Sequence, residues 1–211
     1  MKIIAVVSQK GGVGKTTVSQ ILSVEALNQG FASALIDTDP QKSATEWGDL
    51  RTAAGIEAPT VVTPSGQGLR SILNELEERG AAIVFIDTPP HSAPAINAAL
   101  EVATGAILVT RPNPMDLSAL ARTWQIVQAL EKPAATLLTQ TTPGNRARAL
   151  ALAHGFLHEL AVPFCPTPLT NTLSYPYAQA EALTVQEREP TSKPRAEIAE
   201  VWGWFRRKAI F

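Results

Sequence analysis

The sequence has a single cysteine, Cys165, in 211 residues. One thiol per chain excludes a disulfide framework and any cysteine-built metal or iron–sulfur site within one chain. No apolar run approaches ~18 residues, so no transmembrane helix is expected. No secretory leader pattern precedes the first apolar segment, and the expected compartment is the cytoplasm. Net charge is scarce as well. Eighteen Lys and Arg against nineteen Asp and Glu leave −1, which excludes nucleic-acid binding through the whole surface, though not through a local basic patch. What is present is a globular composition, 45% apolar and 18% charged, unlike that of a disordered chain, a collagen or a coiled coil. No internal repeat or low-complexity linker divides the sequence, so residues 1–211 read as one domain.

Short β-branched apolar runs alternate with longer amphipathic stretches. Strands are expected at Ile3–Val7, Ser33–Ile36, Thr60–Thr63, Ala82–Ile86, Ala106–Thr110 and Ala135–Thr139, with a weak last one at Pro163–Cys165. Helices are expected at Thr16–Gln29, Ser43–Ala54, Leu69–Arg79, Ser92–Ala103, Met115–Leu130 and Asn145–Leu160, followed by proline-rich loops and a closing helix over about Pro194–Lys208. This alternation predicts an α/β fold, a doubly wound, mostly parallel sheet flanked by helices.

The sharpest motif is Lys10-Gly11-Gly12-Val13-Gly14-Lys15-Thr16-Thr17, set between a predicted strand and a predicted helix. That is the context of a P-loop, in which glycines let backbone N–H groups wrap a phosphate and the helix N-terminus adds its positive dipole end. Lys15 is expected to reach the β- and γ-phosphates of a nucleotide, and Thr16 to ligate Mg²⁺. The motif is a variant, because Gln9 occupies the place of the usual first glycine. Asp37-Thr38-Asp39-Pro40-Gln41 follows the second strand. Two acids at this spacing beside a P-loop suit metal-bound and attacking water. They also suit capping of the next helix, for which Ser43 is the better-placed residue. The apolar strand ending in Asp87-Thr88-Pro89-Pro90 fits a Walker B carboxylate for the Mg²⁺ shell.

The run from Lys10 to Thr17 resembles the deviant Walker A motif of the ParA/MinD family of P-loop ATPases. The resemblance implies that Lys10 acts in trans on a partner's nucleotide, so that ATP holds a homodimer together. It implies that Asp39 orients the attacking water, that Asp37 lies near Mg²⁺ and its waters, and that the segments at Asp37 and Asp87 are switches I and II. The loop from Pro112 to Leu117 is similar to the family's loop at that place. Thr167-Pro168-Leu169-Thr170 is similar to its adenine-side loop, which implies that Pro168 packs on the base. Small size and the absence of an N-terminal DNA-reading extension resemble the short ParA type. That type implies non-specific DNA binding, nucleoid association of the ATP form, and a ParB-like or cargo adaptor that stimulates hydrolysis to ADP and phosphate, in plasmid or chromosome partition or in cargo positioning. One departure is Leu169, where ParA relatives often carry a DNA-contacting arginine.

A substitute basic patch is expected near the C-terminus, where Lys193, Arg195, Arg206, Arg207 and Lys208 face only Glu197 and Glu200 between Thr191 and Phe211. The same stretch holds Trp202, Trp204, Phe205, Ile210 and Phe211, a combination that also suits a membrane-surface helix of the MinD type. However, Ile198, Val201, Trp202 and Phe205 have the spacing of a core-facing stripe, which leaves Ile210 and Phe211 over and makes a membrane partner the weaker expectation. A metabolic alternative on the same fold is an ATP-dependent synthetase resembling dethiobiotin synthetase. The nitrogenase iron-protein branch is excluded, because a cluster bridged across a dimer needs two cysteines per chain. His154 and His158 share a helix face but have no apparent third metal ligand, and Cys165 reads as a small buried residue. His91, just after the Walker B prolines, receives no role.

Overall fold

The structure is a computed structural model that describes residues 1–142, 144 and 146–211. In chain order the elements are β1 (Lys2–Val7), α1 (Lys15–Asn28), β2 (Ser33–Asp37), α2 (Ser43–Ala53), β3 (Thr60–Val62), α3 (Leu69–Glu78), β4 (Ile83–Asp87) and α4 (Ala93–Val102). Then follow β5 (Gly105–Thr110), α5 (Pro114–Ala129), β6 (Ala134–Leu138), α6 (Arg146–Glu159), α7 (Ser174–Ala180), α8 (Val185–Arg188) and α9 (Lys193–Arg207). Asn145, the expected start of α6, lies outside the described residues.

The six strands form one parallel sheet in the order β3-β2-β4-β1-β5-β6. Alternate residues of each strand serve opposite faces. Ile4, Val6, Leu35, Phe85, Ile107 and Leu137 pack with α1 and α9 on one side. Ala5, Val7, Ile36, Val84, Ile86 and Leu108 pack with α3, α4 and α5 on the other. The strands therefore read as unbroken apolar runs because both faces are covered. Helix α1 is buried over most of its length, Val18 to Ala26 included, which accounts for its lack of a polar face.

The expected last strand at Pro163–Cys165 is reduced to a single parallel bridge between Thr136 and Phe164. The Thr136 amide donates to the Pro163 carbonyl and the Cys165 amide to the Thr136 carbonyl, and the pairing stops there. Prolines at 163 and 166 lack the N–H groups that would extend it. Two short helices, α7 and α8, stand where only loops were expected. The Thr-x-x-Glu spacing at α8 carried the signal, since Thr184 and Glu187 form a reciprocal capping box there. In α7 the proline at 176 falls in the first turn, where a missing N–H costs little.

Ile210 and Phe211 are not left over. Each is 4% exposed. The Phe211 ring lies 5.6 Å from Phe205, 4.7 Å from Trp202 and 6.0 Å from Phe85. The chain reaches this place by close approach to the sheet, since a Cβ at Gly105 would stand 2.5 Å from the Ile210 carbonyl oxygen. Of the aromatic residues that suggested a membrane-surface helix, Trp202, Phe205 and Phe211 are thus spent on the core, and Trp204 is partly buried against it. Among the described residues no helix is long and apolar enough to cross a membrane.

Candidate active site

Strand β1 has β4 on one side and β5 on the other, so the chain order reverses at its carboxyl end, the place where open α/β sheets bind ligands. The loop 8–14 leaves β1 there and enters α1 through Gly14, whose φ of 90° is open to glycine. Gly12 has a φ of 69°. Lys15, the first residue of α1, is only 6% exposed, and its Nζ donates to the Lys10 carbonyl at 3.3 Å. Burial lowers its pKa, and the charges of Asp87 and Asp39 oppose that shift.

Asp37 and Asp87 end the neighbouring strands β2 and β4 and are register partners. Both are fully buried. Asp87 accepts from the Thr16 hydroxyl at 2.6 Å and from the Ser19 hydroxyl at 3.3 Å. Its carboxyl is pushed up to about 7, chiefly by burial and further by the charge of Asp37, against the Thr16 hydrogen bond and Lys15. Asp37 accepts from the Asp39 amide at 3.0 Å and from both the amide and hydroxyl of Thr45 at 2.9 and 3.0 Å. Asp37 therefore caps α2. Ser43, the residue expected to cap it, is exposed and makes no cap bond, and Lys42 takes the N-cap place with φ 55°. The capping and metal-side readings of Asp37 are compatible, since one carboxylate does the first while lying against Asp87. Asp39 is half-buried and accepts from the Gln41 amide at 2.9 Å.

Two buried acids and one buried lysine leave local negative charge unbalanced, as a divalent cation would correct. Among the described residues no group of three His, Cys, Asp or Glu side chains forms a metal cage. The set at hand, the Thr16 hydroxyl and two carboxylates beside a phosphate loop, is instead of the kind that takes Mg²⁺ together with substrate phosphates. Thr16 would hold it, with Asp87 and Asp37 around it. Replacement of Asp87 by Asn is expected to raise stability in metal-free, nucleotide-free protein. A carboxyl with pKa about 7 folded and 3.8 unfolded binds its proton more tightly in the folded state, so stability falls as pH rises from about 4 to about 7. Asn removes that loss, about 4 kcal/mol at neutral pH, or roughly 10 °C in melting temperature. Thermal melts at pH 5 and pH 7.5 check both the gain and the vanished pH dependence. Added Mg²⁺ and nucleotide should stabilise the native protein more than the variant.

A cavity of about 320 Å³ opens beside Gly14, Thr17 and Val18, walled by Thr139, Gln140, Leu169, Thr170, Asn171, Thr172, Tyr175, Pro176 and Gln179. Pro168, expected on the base, is buried and absent from this wall. Its successors from Leu169 to Thr172 stand there instead. Leu169 is 4% exposed, so this chain turns inward the position where an arginine was expected to face DNA. Thr139, Gln140 and Gln179 were not anticipated from the sequence. Gln179 donates to the Thr17 hydroxyl at 3.3 Å and so ties α7 to the phosphate loop. Lys10 is half-buried and borders a second groove with Gln9, His91, Met115 and Arg122.

The chain matches the CobQ/CobB/MinD/ParA nucleotide binding domain family over residues 4–162. It belongs to that ParA/MinD family. A curated relative, maintenance of carboxysome distribution protein A from Gloeobacter kilaueensis, is 31% identical over 203 residues, 93% of this chain and 89% of the relative. Protein ParA from Rhizobium radiobacter is 25% identical over 184 residues, covering 83% and 81%. Among solved structures, the septum site-determining protein MinD from Pyrococcus horikoshii, complexed with Mg-ADP, superposes with a TM-score of 0.75 at 18% identity over 99% of this chain and 97% of that one. The ParA/MinD fold is the doubly wound P-loop architecture described above, and ATP or ADP with Mg²⁺ is the ligand set that its Lys15, Thr16, Asp37 and Asp87 fit.

The expected basic patch divides in two. Lys193 pairs with Glu197 at 3.8 Å and Arg195 with the buried Glu25 at 3.2 Å. Arg206, Arg207 and Lys208 are exposed at the other end of α9, about 20 Å along its axis. Arg206 also lies over the Phe31 ring and Lys208 over Trp204. Asn113 caps α5 through the Asp116 amide, and Asp116 is 4% exposed. His154 and His158 pack on the Phe164 ring at 4.5 and 5.1 Å, an aromatic cluster and not a metal pair. Cys165 is buried, its thiol pushed up to about 11 by burial, which makes it inert.

Proposed function

We propose that this protein is a Mg-dependent ATPase that dimerises on ATP, binds DNA non-specifically in that state, and uses hydrolysis to position a cargo. The cargo is a plasmid, a chromosome or a protein assembly, and a ParB-like or cargo adaptor stimulates turnover. The observation that carries the reading is the meeting of buried Lys15, Asp37 and Asp87 with Thr16 at the carboxyl edge of the sheet.

Backbone N–H groups of residues 11–15 and the N-terminus of α1 hold the phosphates, and Lys15 offsets their charge. Mg²⁺, when bound, neutralises charge on the β- and γ-phosphate oxygens. Asp39 orients a water whose oxygen bonds to the γ-phosphorus. The bond from that phosphorus to the β–γ bridging oxygen breaks, and ADP, phosphate and a proton leave. Lys10, beside the outer groove, reaches a partner's nucleotide in the dimer. The names of the curated relatives, carboxysome distribution and ParA, support cargo positioning over the membrane-surface and synthetase alternatives. Burial of Trp202, Phe205, Ile210 and Phe211 further weighs against a membrane-surface helix. DNA contact falls to Arg206, Arg207 and Lys208, doubled in a dimer, in a protein of the cytoplasm that joins the nucleoid when ATP-bound.

Light scattering with and without ATP tests the dimer. The native chain should double in mass with ATP and not with ADP, while Lys10→Ala stays monomeric with ATP bound. A Lys10→Ala dimer of native strength would remove the trans role.

A further inference from the structure

Building on the phosphate-loop reading, we propose that Thr139 and Gln140, just after β6, are positioning residues that hold the phosphate loop open for its ligand. A loop that converges backbone N–H groups on an anion turns the intervening carbonyls outward. Outward carbonyls that leave water need donors. One dipeptide supplies side-chain donors to two loop carbonyls, that of buried Val13 and that of exposed Gly12. The Thr139 hydroxyl, on a residue 3% exposed, donates to the Val13 carbonyl at 2.7 Å, the nearer of its two acceptors, with the Thr110 carbonyl at 3.2 Å. The Gln140 amide nitrogen donates to the Gly12 carbonyl at 2.6 Å. Both acceptors lie within the loop, on the consecutive peptides Gly12–Val13 and Val13–Gly14.

The backbone is arranged to deliver these groups. The Thr139 amide donates to the Thr110 carbonyl at 2.9 Å and fixes the strand end to β5. Gln140 then adopts φ 54°, a left-handed conformation that costs a residue with a Cβ. That turn places its side chain across the loop, where a Cβ on Gly14 would stand 3.9 Å from the Gln140 amide nitrogen. Strained backbone of this kind is retained where the surroundings demand a particular side-chain direction.

Gln140 also borders the cavity beside the loop, so a contact to the nucleotide base is the competing role. The two roles predict different ligand dependence. A base contact acts only on nucleotides. A loop clamp acts on any phosphate chain, and it acts before a ligand arrives.

The test measures affinity for Mg-ADP and for Mg-tripolyphosphate, which has no base, in the native protein, Gln140→Met and Thr139→Val. Each variant keeps side-chain volume and removes the donor. Hydrogen exchange of the amides of residues 11–14 is followed in the nucleotide-free protein, with melting temperatures as a check on folding. Each variant is expected to weaken both ligands by the same factor, roughly 5- to 10-fold for one lost hydrogen bond, and to speed exchange at residues 11–14. Loss confined to Mg-ADP, or unchanged affinities and exchange, overturns the clamp while leaving the nucleotide site intact. Failure of the native protein to bind either ligand would instead overturn the nucleotide reading on which the clamp rests.

Discussion

Lys15→Ala is expected to lower ATP turnover by at least about 1,000-fold, to the background of the assay, and to remove measurable nucleotide affinity. The amine is buried at the first residue of α1, and its Nζ bonds to the Lys10 carbonyl within the loop. It is also the cation whose charge acts on Asp87 and is acted on by Asp39. Without it, two adjoining buried carboxylates would face a triphosphate with no protein cation between them. Electrostatic repulsion at short range in a water-poor site is large enough to defeat binding, not only chemistry. Titration with a fluorescent nucleotide and a phosphate-release assay check the two halves. Retention of near-native turnover would mean that the phosphates lie elsewhere.

Asp39→Ala should separate binding from hydrolysis. Turnover is expected to fall about 100- to 1,000-fold, the usual worth of a group that positions and polarises the attacking water, while ATP affinity stays within a few-fold of native. The ATP-bound dimer then accumulates, since its exit by hydrolysis is closed. The substitution is clean because the Asp39 carboxylate makes one local bond, to the Gln41 amide, and lies half-buried. Asp37→Ala would be a poorer probe, because Asp37 also caps α2 through Thr45. Single-turnover kinetics and light scattering on Asp39→Ala check the prediction. A variant that remains monomeric with ATP bound would show that Asp39 is not the residue that times the switch.

The fold was legible where physics is local. Strands buried on both faces announce themselves as apolar runs, as at Ile83–Ile86, and the glycines at 30 and 80 mark helix ends with positive φ. The phosphate loop and the two aspartates at strand ends were equally plain, because the residue type and the strand that precedes it are read together. What was missed depends on distant parts of the chain. Pro168 and Leu169 differ in the cavity wall by one residue of register, which a sequence pattern does not set. Ile210 and Phe211 looked like an unused tail because their partners, Phe85 and Gly105, lie more than a hundred residues away. The basic patch looked continuous because cations were counted along the chain. In space Glu25 and Glu197 neutralise one end, and Glu25 lies on α1, far from α9 in sequence. Thr139 and Gln140 carried no motif at all. Their role depends on a return of the chain to residues 12 and 13 that only the sheet order brings about.

In the proposed cycle nucleotide state, acting through a dimer, controls attachment to DNA. Such control explains why a near-neutral chain with a net charge of −1 carries an exposed basic trio. In that cycle one such trio would bind weakly, two would act together, and release would follow loss of the dimer. Retention on a non-specific DNA duplex should be measured with ATP, ADP and no nucleotide across a salt series. Retention is expected with ATP alone, falling steeply as salt rises and lost when Arg206, Arg207 and Lys208 are replaced together by alanine. Equal retention in all three nucleotide states, or none in any, would contradict that cycle.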